Sequence, residues 1–402
     1  MRKSNLFIAA AVLAISGLQA QGPAVTSWSV NTTGATGYGG IQSNVQQVQY
    51  STNNVYVSCT CIPGYAIGPW SGNPNTPSNQ NFVYKITRNP TANTSGTLTS
   101  VGLGHSGVWI NGVSIFNVSD AQSYNNAGVW NRNAYFWEGS GFDNCLGHPN
   151  QTGEYHHHVS PSCLYDINDN THHSPIIGYA FDGYPVYGAY AYTNTNGTGA
   201  IKRMTSSYQT TTTATRTNGP AVSSTYPVGC FIEDYVYTAG SGDLDAHNGR
   251  YCVTPEYPGG TYAYFVTLDA SLNPQFPYTM YGTYYGVVQS GNTGPGGGHT
   301  TITETVTTYT PATTGIAEVN KPLETMIYPN PTHDYLFVYI QPIASNNFEL
   351  TLVDAQGKVV LTEKNIQPTI SYTLDVSKLA KGIYMLRLKN AEKEFNQKVL
   401  VN

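Results

Sequence analysis

The feature that most constrains the fold is an abrupt change of composition near residue 323. The 80 residues from 323 to 402 contain 16 charged residues, whereas the 300 residues from 23 to 322 contain 23. All six cysteines lie before the change, at positions 59, 61, 145, 163, 230 and 252. A chain of 402 residues exceeds what one hydrophobic core ordinarily supports. The change therefore predicts a domain boundary, with a separate C-terminal module over residues 323–402.

The N-terminus has the order of charges and apolar residues typical of a secretory signal. Arg2 and Lys3 precede an uncharged, mostly apolar run from Leu6 to Leu18, which ends close to the small residue Ala20. This run is shorter than the roughly 20 residues that a membrane span needs. We therefore expect a signal peptide over residues 1–20, and no later segment approaches the length of a transmembrane helix.

The central region, residues 21–293, is rich in Gly, Asn, Ser, Thr and Tyr, and the whole chain holds 32 Tyr. These residue types favour strands and turns over helices. The net charge of -5 provides no basic surface, which argues against nucleic acid as a partner. We therefore predict a mainly β fold, with a β-rich central domain.

The even number of cysteines in an exported chain predicts disulfides that staple the central domain. The pairs Cys145–Cys163 and Cys230–Cys252 would each close a local loop, and we expect both. Cys59 and Cys61 are then left over. Their spacing is compatible with metal ligands, with two reduced thiols or with a strained bridge between them.

The join and the C-terminal module have different patterns. Residues 294–322 begin with a glycine-rich run and continue with a threonine-rich stretch without apolar periodicity, which predicts an extended, mobile linker. In the module, residues 335–340 and 348–354 read as strands, the latter with alternating apolar positions, and a turn follows at 355–358. Repeated short strands of this kind predict an immunoglobulin-like β-sandwich.

Four motifs of the C-terminal module resemble the type A sorting domain of the type IX secretion system. They are Tyr328-Pro329-Asn330-Pro331, the segment Leu374–Leu379, Lys381-Gly382-Ile383-Tyr384 and the terminal Lys398-Val399-Leu400-Val401. The resemblance implies a source among the Bacteroidota and a partnership with the type IX secretion machinery. It also implies delivery to the outside or to the outer cell surface, usually followed by removal of this domain.

Histidines cluster between residues 148 and 173, which predicts a transition-metal site. If Tyr155–Val159 is a strand, His156 and His158 share one face about 7 Å apart, while His157 points the other way. Imidazole-rich sites suit copper and zinc, with nickel and iron as further alternatives, and we expect copper first. We expect His148 or His173 to be a further ligand, with His172 also within sequence reach. Asp182 would be an oxygen ligand or would orient a histidine.

The segment Tyr155-His156-His157-His158, together with the run from His173 to Gly188, resembles the YHYH domain family. His157 stands where the family has its second tyrosine, but both histidine positions of the motif are intact. A second tyrosine-rich copy, Tyr262–Phe265, keeps neither histidine. If the family has two symmetric half-sites, only the first is equipped in this chain. The resemblance implies a domain type and not a reaction.

No nucleophile elbow, zinc-protease motif or phosphate-binding glycine loop occurs in the chain, so no catalytic residue is assigned and the question of enzymatic activity stays open. We expect a secreted or surface protein that binds copper, or zinc, through its histidines. The alternative is a non-catalytic surface protein that contacts glycans or other polymers, with histidines that only form hydrogen bonds in the core. Convergence of three imidazoles on one point would favour the metal. The oligomeric state is not predicted.

Overall fold

The computed structural model describes residues 22–212, 215–294, 296–311, 325–328, 330–340, 347–366, 372–390 and 394–402. The expected signal peptide at 1–20 and residues 312–322 of the expected linker lie outside the described residues. The chain divides after Pro311 into two compact units. The described part is mostly β, as predicted. None of its helices has the length and apolar character needed to cross a membrane.

The first unit is built from short strands. In chain order they are β1 (Val45–Tyr50), β2 (Asn54–Cys59), β3 (Phe82–Thr87), β4 (His105–Trp109), β5 (Ser114–Phe116), β6 (Ser119–Ser123), β7 (Asn131–Asn133), β8 (His148–Pro149), β9 (Tyr155–His157), β10 (Ile176–Ala180), β11 (Pro185–Tyr187), β12 (Tyr190–Tyr192), β13 (Ile201–Arg203), β14 (Tyr208–Thr210), β15 (Tyr235–Tyr237), β16 (Gly249–Cys252), β17 (Thr261–Phe265) and β18 (Thr307–Thr308). Its helices are α1 (Pro23–Thr26), α2 (Ala134–Glu138) and the 3-10 turns Tyr38–Gly40, Tyr124–Asn126, Gly139–Gly141 and Ile232–Asp234.

An eight-stranded sheet forms the centre of this unit, in the order β16-β17-β11-β10-β4-β5-β9-β8. Every residue of β4, β10 and β17 is buried, so this sheet is covered on both faces. A Cβ on Gly178 would lie 2.9 Å from the Trp109 ring, so a glycine is needed where β10 packs against β4. A second sheet, β18-β1-β2-β3, contributes Val48, Val57 and Ile86 to the same core.

Part of the segment expected to be a mobile linker belongs to the first unit. Thr307 and Thr308 of β18 pair with Tyr50 and Gln49 on the edge of β1. The Glu304 carboxylate accepts hydrogen bonds from Asn54 and Tyr56, both at 2.6 Å. The free edge of β1 explains the difference, since a polar extended segment needs no apolar pattern to add a strand there.

The cysteines follow the predictions only in part. Cys145 and Cys163 form a disulfide, as predicted. The predicted Cys230–Cys252 bridge is wrong, because both are free and buried. Cys252 ends a strand of the large sheet, whereas Cys230 packs beside the buried Arg216–Asp234 ion pair. Cys59 and Cys61 are also free and buried.

The second unit consists of β19 (Thr325–Tyr328), β20 (Tyr335–Ile340), β21 (Phe348–Val353), β22 (Val359–Ile366), β23 (Tyr372–Asp375), β24 (Gly382–Lys389) and β25 (Glu394–Val401). They form two antiparallel sheets, in the orders β19-β20-β23 and β22-β21-β24-β25. Leu336 of one sheet and Leu352 and Leu386 of the other lie in one core, so the unit is a β-sandwich. Burial alternates along β21, as the alternating apolar positions of residues 348–354 predict.

Candidate metal centre

A hairpin at the end of the large sheet positions the histidines. His148 on β8 lies directly opposite His156 on β9 in the antiparallel register, and His158 follows β9. Asn150 closes the hairpin, because its side-chain oxygen accepts from the backbone N–H groups of Thr152 and Glu154. The disulfide between Cys145 and Cys163 encloses the whole segment.

The three imidazoles converge at one point. His148 Nε2 lies 3.1 Å from His156 Nε2, which lies 3.2 Å from His158 Nε2. All three residues are buried, and their ligand atoms lie within 4.8 Å of one another. Among the described residues, these three side chains are the group that could hold a metal ion. The i, i+2 spacing therefore brings His156 and His158 together, and His148 is the further histidine that joins them.

The other ring nitrogens fix the tautomers of two of these histidines. His156 Nδ1 lies 3.1 Å from the Glu154 carbonyl oxygen, and His158 Nδ1 lies 2.5 Å from the Asn117 carbonyl oxygen. A carbonyl oxygen can only accept, so each Nδ1 carries the proton and donates it. Both Nε2 atoms consequently present lone pairs to the centre of the cluster.

Glu138, at the end of α2, adds a carboxylate to the cluster. Its Oε2 lies 3.2 Å from His158 Nε2 and 3.7 Å from His148 Nε2. Asn133 caps α2 by accepting from the Tyr135 N–H, which sets where the helix begins. Sequence reasoning missed Glu138, because a single glutamate after three aromatic residues carries no motif.

Aromatic rings pack against the imidazoles of the cluster. The Phe116 ring stacks on His156 with centroids 3.9 Å apart, and the Phe142 ring lies 4.8 Å from His148. Burial lowers the pKa of His148 to about 4 and that of His156 well below its ordinary value. Both imidazoles are therefore neutral at pH 7, which is the protonation state that a ligand requires.

His157 points to the opposite face of β9. Its Nε2 lies 3.4 Å from the hydroxyl of Tyr155, which donates to Asp143. Burial lowers the pKa of His157 to about 3. A Cβ on Gly147 would overlap the Tyr155 hydroxyl, so a glycine is required there. His157 is thus part of the packing beneath the hairpin.

The structure places two predicted site residues elsewhere. The His173 ring packs against Tyr187, 5.0 Å away, and its Nδ1 lies 2.8 Å from the Ser174 carbonyl oxygen. The buried Asp182 carboxylate accepts from the Tyr264 hydroxyl at 2.6 Å and from the Gly286 N–H. Neither residue belongs to the cluster. His173 lies shortly before β10 and Asp182 shortly after it, and β4 and β5 lie between β10 and β9 in the sheet.

A second buried pair lies behind the cluster. His105 Nε2 and Glu154 Oε1 are 2.5 Å apart, and the Ser114 hydroxyl donates to the same carboxylate oxygen. Ser114 is also the register partner of His156 on the parallel strand β5. This network anchors Glu154, whose carbonyl orients His156. The exposed His172 pairs instead with Asp169.

The fold and the cluster define a mainly β protein with a buried histidine centre and a separate C-terminal β-sandwich. Residues 83–279 match the family model described as YHYH protein, and residues 326–402 match that of the secretion system C-terminal sorting domain. The chain is therefore a YHYH protein with a type IX sorting domain. The sorting domain marks it as secreted or exposed on the cell surface.

No curated protein matches the chain. One similar solved structure comes from work on PorZ, a surface component of the type IX secretion system of Porphyromonas gingivalis. The two are 13% identical, and the match covers 90% of this chain and 52% of the other, with a TM-score of 0.16. The chain thus spans about half the length of that structure, and a likeness of this size carries no argument here.

Proposed function

We propose that this secreted or surface protein binds one copper ion through His148, His156 and His158, with Glu138 as a fourth donor. The observation that carries the proposal is the approach of three imidazole Nε2 atoms to 3.1–3.2 Å in a buried site. Copper and zinc are both suited to imidazole ligands.

Hydrogen bonds among neutral imidazoles do not account for this arrangement. The Nε2 atoms of His156 and His158 both present lone pairs, because both Nδ1 protons are donated to carbonyl oxygens. Two lone pairs 3.2 Å apart repel each other, and with no hydrogen between them they form no hydrogen bond. A cation between them removes the repulsion, and Glu138 supplies negative charge that partly balances it. The alternative of purely structural histidines is less favoured for this reason.

The distances between the donor atoms fit a metal ion. With metal–nitrogen bonds of about 2.0–2.1 Å, neighbouring donors lie about 2.9 Å apart at right angles and about 3.3 Å apart in a tetrahedron. The two His–His separations fall between these values, as does the 3.2 Å between Glu138 and His158. A small inward movement of Glu138 would bring its 3.7 Å separation from His148 into the same range.

The order of the donors favours copper over zinc. His148, His156, His158 and Glu138 follow one another around a ring, each close to the next. The rings of His148 and His158, which are not neighbours in this order, have centroids 5.7 Å apart, against 4.6 Å and 4.9 Å for the neighbouring pairs. Unequal separations of this kind suit the tetragonal geometry of Cu(II) better than the tetrahedron of zinc.

The test is the metal content of the purified chain after loading with Cu(II) or Zn(II) and removal of free metal. We expect one copper per chain, and a tetragonal, nitrogen-ligated signal by electron paramagnetic resonance. The double variant His156→Ala/His158→Ala should retain none, whereas the matched variant His157→Ala should retain close to one. A parent chain without stoichiometric metal, or a double variant that binds like the parent, would remove the basis of the proposal.

A further inference from the structure

The eight-stranded sheet has the same pattern of parallel and antiparallel strand pairs whichever edge one starts from. From one edge the strands are β8, β9, β5 and β4, and from the other they are β16, β17, β11 and β10. β9 is parallel to β5, and β17 is parallel to β11. The remaining pairs are antiparallel in both halves, as is the central pair of β4 and β10. The sheet therefore consists of two halves of the same topology, related by an approximate twofold axis.

The loops that lead into β8 and β16 repeat the same hydrogen bonds. The Tyr155 hydroxyl donates to Asp143, and the Tyr262 hydroxyl donates to Asp245. Each aspartate N–H donates to the carbonyl of the glycine four residues later, and each loop has a non-glycine residue with positive φ before that glycine, Leu146 at 64° and Asn248 at 63°. These shared hydrogen bonds and φ angles allow each residue of the first loop and hairpin to be matched to one residue of the second.

This correspondence shows what stands in place of each metal ligand in the second half. His148 lies opposite His156 in the register of β8 and β9, and Arg250 lies opposite Ala263 in the register of β16 and β17. Counting on from Ala263, Phe265 takes the place of His158. The second half thus has a guanidinium, a methyl group and a phenyl ring at the positions where the first half has three imidazoles.

The Arg250 side chain lies where these replacements leave room for it. Arg250 is 8% exposed, and its Cζ lies 5.6 Å from the centroid of the Phe265 ring. Its Nη2 donates to the Tyr192 carbonyl oxygen at 2.6 Å, while its Nε has no hydrogen-bond partner among the described residues. The small Ala263 side chain leaves free the space that an imidazole occupies in the first half.

We infer that the central domain is an internal duplication in which the Arg250 guanidinium replaces, in the second half, the metal ion that the first half binds. The inference rests on the proposed function of the first half. A guanidinium stays charged at all accessible pH values, and its interaction with an aromatic face is favourable where water is excluded. The second half therefore has a permanent cation, and the chain binds a single metal ion.

The second half keeps enough of the original architecture to be converted back. Its hairpin, its Asp245–Tyr262 anchor and the stacked ring of Tyr187 remain in place. The His173 ring lies 6.1 Å from that of Phe265, and its buried Nε2 has no hydrogen-bond partner in the described part of the chain. His173 would be a fourth donor beside imidazoles introduced at the three replaced positions.

The experiment compares the copper content of the parent chain with that of the triple variant Arg250→His/Ala263→His/Phe265→His. We expect one copper per chain in the parent and two in the variant. A folded triple variant that still binds one copper overturns the inference, and so does a parent that binds two. A parent that binds none contradicts the proposed function itself, so the two failures are distinguishable.

If the triple variant does not fold, the single variant Arg250→Met tests the inferred role of the Arg250 guanidinium. We expect a lower melting temperature than that of the parent both with copper and with a chelator, while the copper content stays at one per chain. Arg203→Met is the matched control, because Arg203 also donates to a backbone carbonyl but lies on β13, outside the repeated hairpins. An Arg250→Met chain with lost copper or an unchanged melting temperature overturns the inference.

Discussion

Removal of the Cys145–Cys163 bridge should affect both the stability of the central domain and its metal affinity. The bridged cysteines are 18 residues apart, and all three histidine ligands lie between them. The loop-closure entropy for a separation of this size corresponds to about 3 kcal/mol in the free energy of unfolding. For a domain of nearly 300 residues, this lowers the melting temperature by about 5 °C.

The assay is differential scanning calorimetry of the double variant Cys145→Ala/Cys163→Ala, with Cys230→Ala/Cys252→Ala as the matched control. The control removes two buried free thiols and should leave the loop-closure entropy of the Cys145–Cys163 bridge unchanged. Copper affinity should also fall in the bridge variant, by at most about 150-fold, which is the equivalent of the full 3 kcal/mol. The control should keep the copper affinity of the parent.

A thiol titration of the denatured chain provides an independent check. Four thiols should react, because the structure has one disulfide among six cysteines. Two reactive thiols, or a control variant that melts as low as the bridge variant, would refute the reasoning. Two reactive thiols would mean that a second disulfide forms, either between Cys230 and Cys252 or between Cys59 and Cys61.

Three further predictions concern acid, Glu138 and the tail. An exposed imidazole becomes protonated between pH 7 and pH 5, which would lower the copper affinity about 25-fold. Burial lowers the pKa of His148 to about 4 and keeps this ligand neutral over the same range. Calorimetric titration should therefore show less than about 100-fold loss of affinity at pH 5, and a larger loss would show solvated ligands. Glu138→Gln should weaken copper binding about 10- to 100-fold in the same assay, whereas the exposed Glu233→Gln should not, and equal affinities would exclude Glu138 as a donor. Deletion of residues 323–402 should leave the circular dichroism of the central domain intact and prevent surface delivery in cell fractionation, and normal delivery would contradict the role of the tail.

Local patterns in the sequence predicted the parts of the structure that local geometry determines. Alternation along a strand was sufficient to place His156 and His158 on one side of β9 and His157 on the other. The same rule found the strands of the C-terminal sandwich, where one face of each sheet is buried. The short Cys145–Cys163 separation was also informative, because the hairpin between them returns the chain to its starting point.

The features that sequence reasoning missed depend on tertiary packing. Glu138 reaches the cluster from α2, outside the hairpin that holds the histidines. His173 follows the hairpin closely in sequence, yet it packs against the second half of the sheet with Tyr187. Cys230 and Cys252 are also close in the chain and separate in space. Proximity in sequence predicts contact only where the intervening chain forms a hairpin.

The pairing of β18 with β1 bears on what would remain if the sorting domain were removed, as the resemblance to such domains implies. A cut beyond Pro311 leaves Thr307 and Thr308 in place, and Gln49 and Tyr50 keep their strand partners. A cut before Glu304 would strip this cover from the shed protein and expose the backbone N–H and C=O groups of β1. Exposed edges of this kind pair with other chains. The position of such a cut would therefore decide whether this edge of β1 stays covered or is free to pair with another chain.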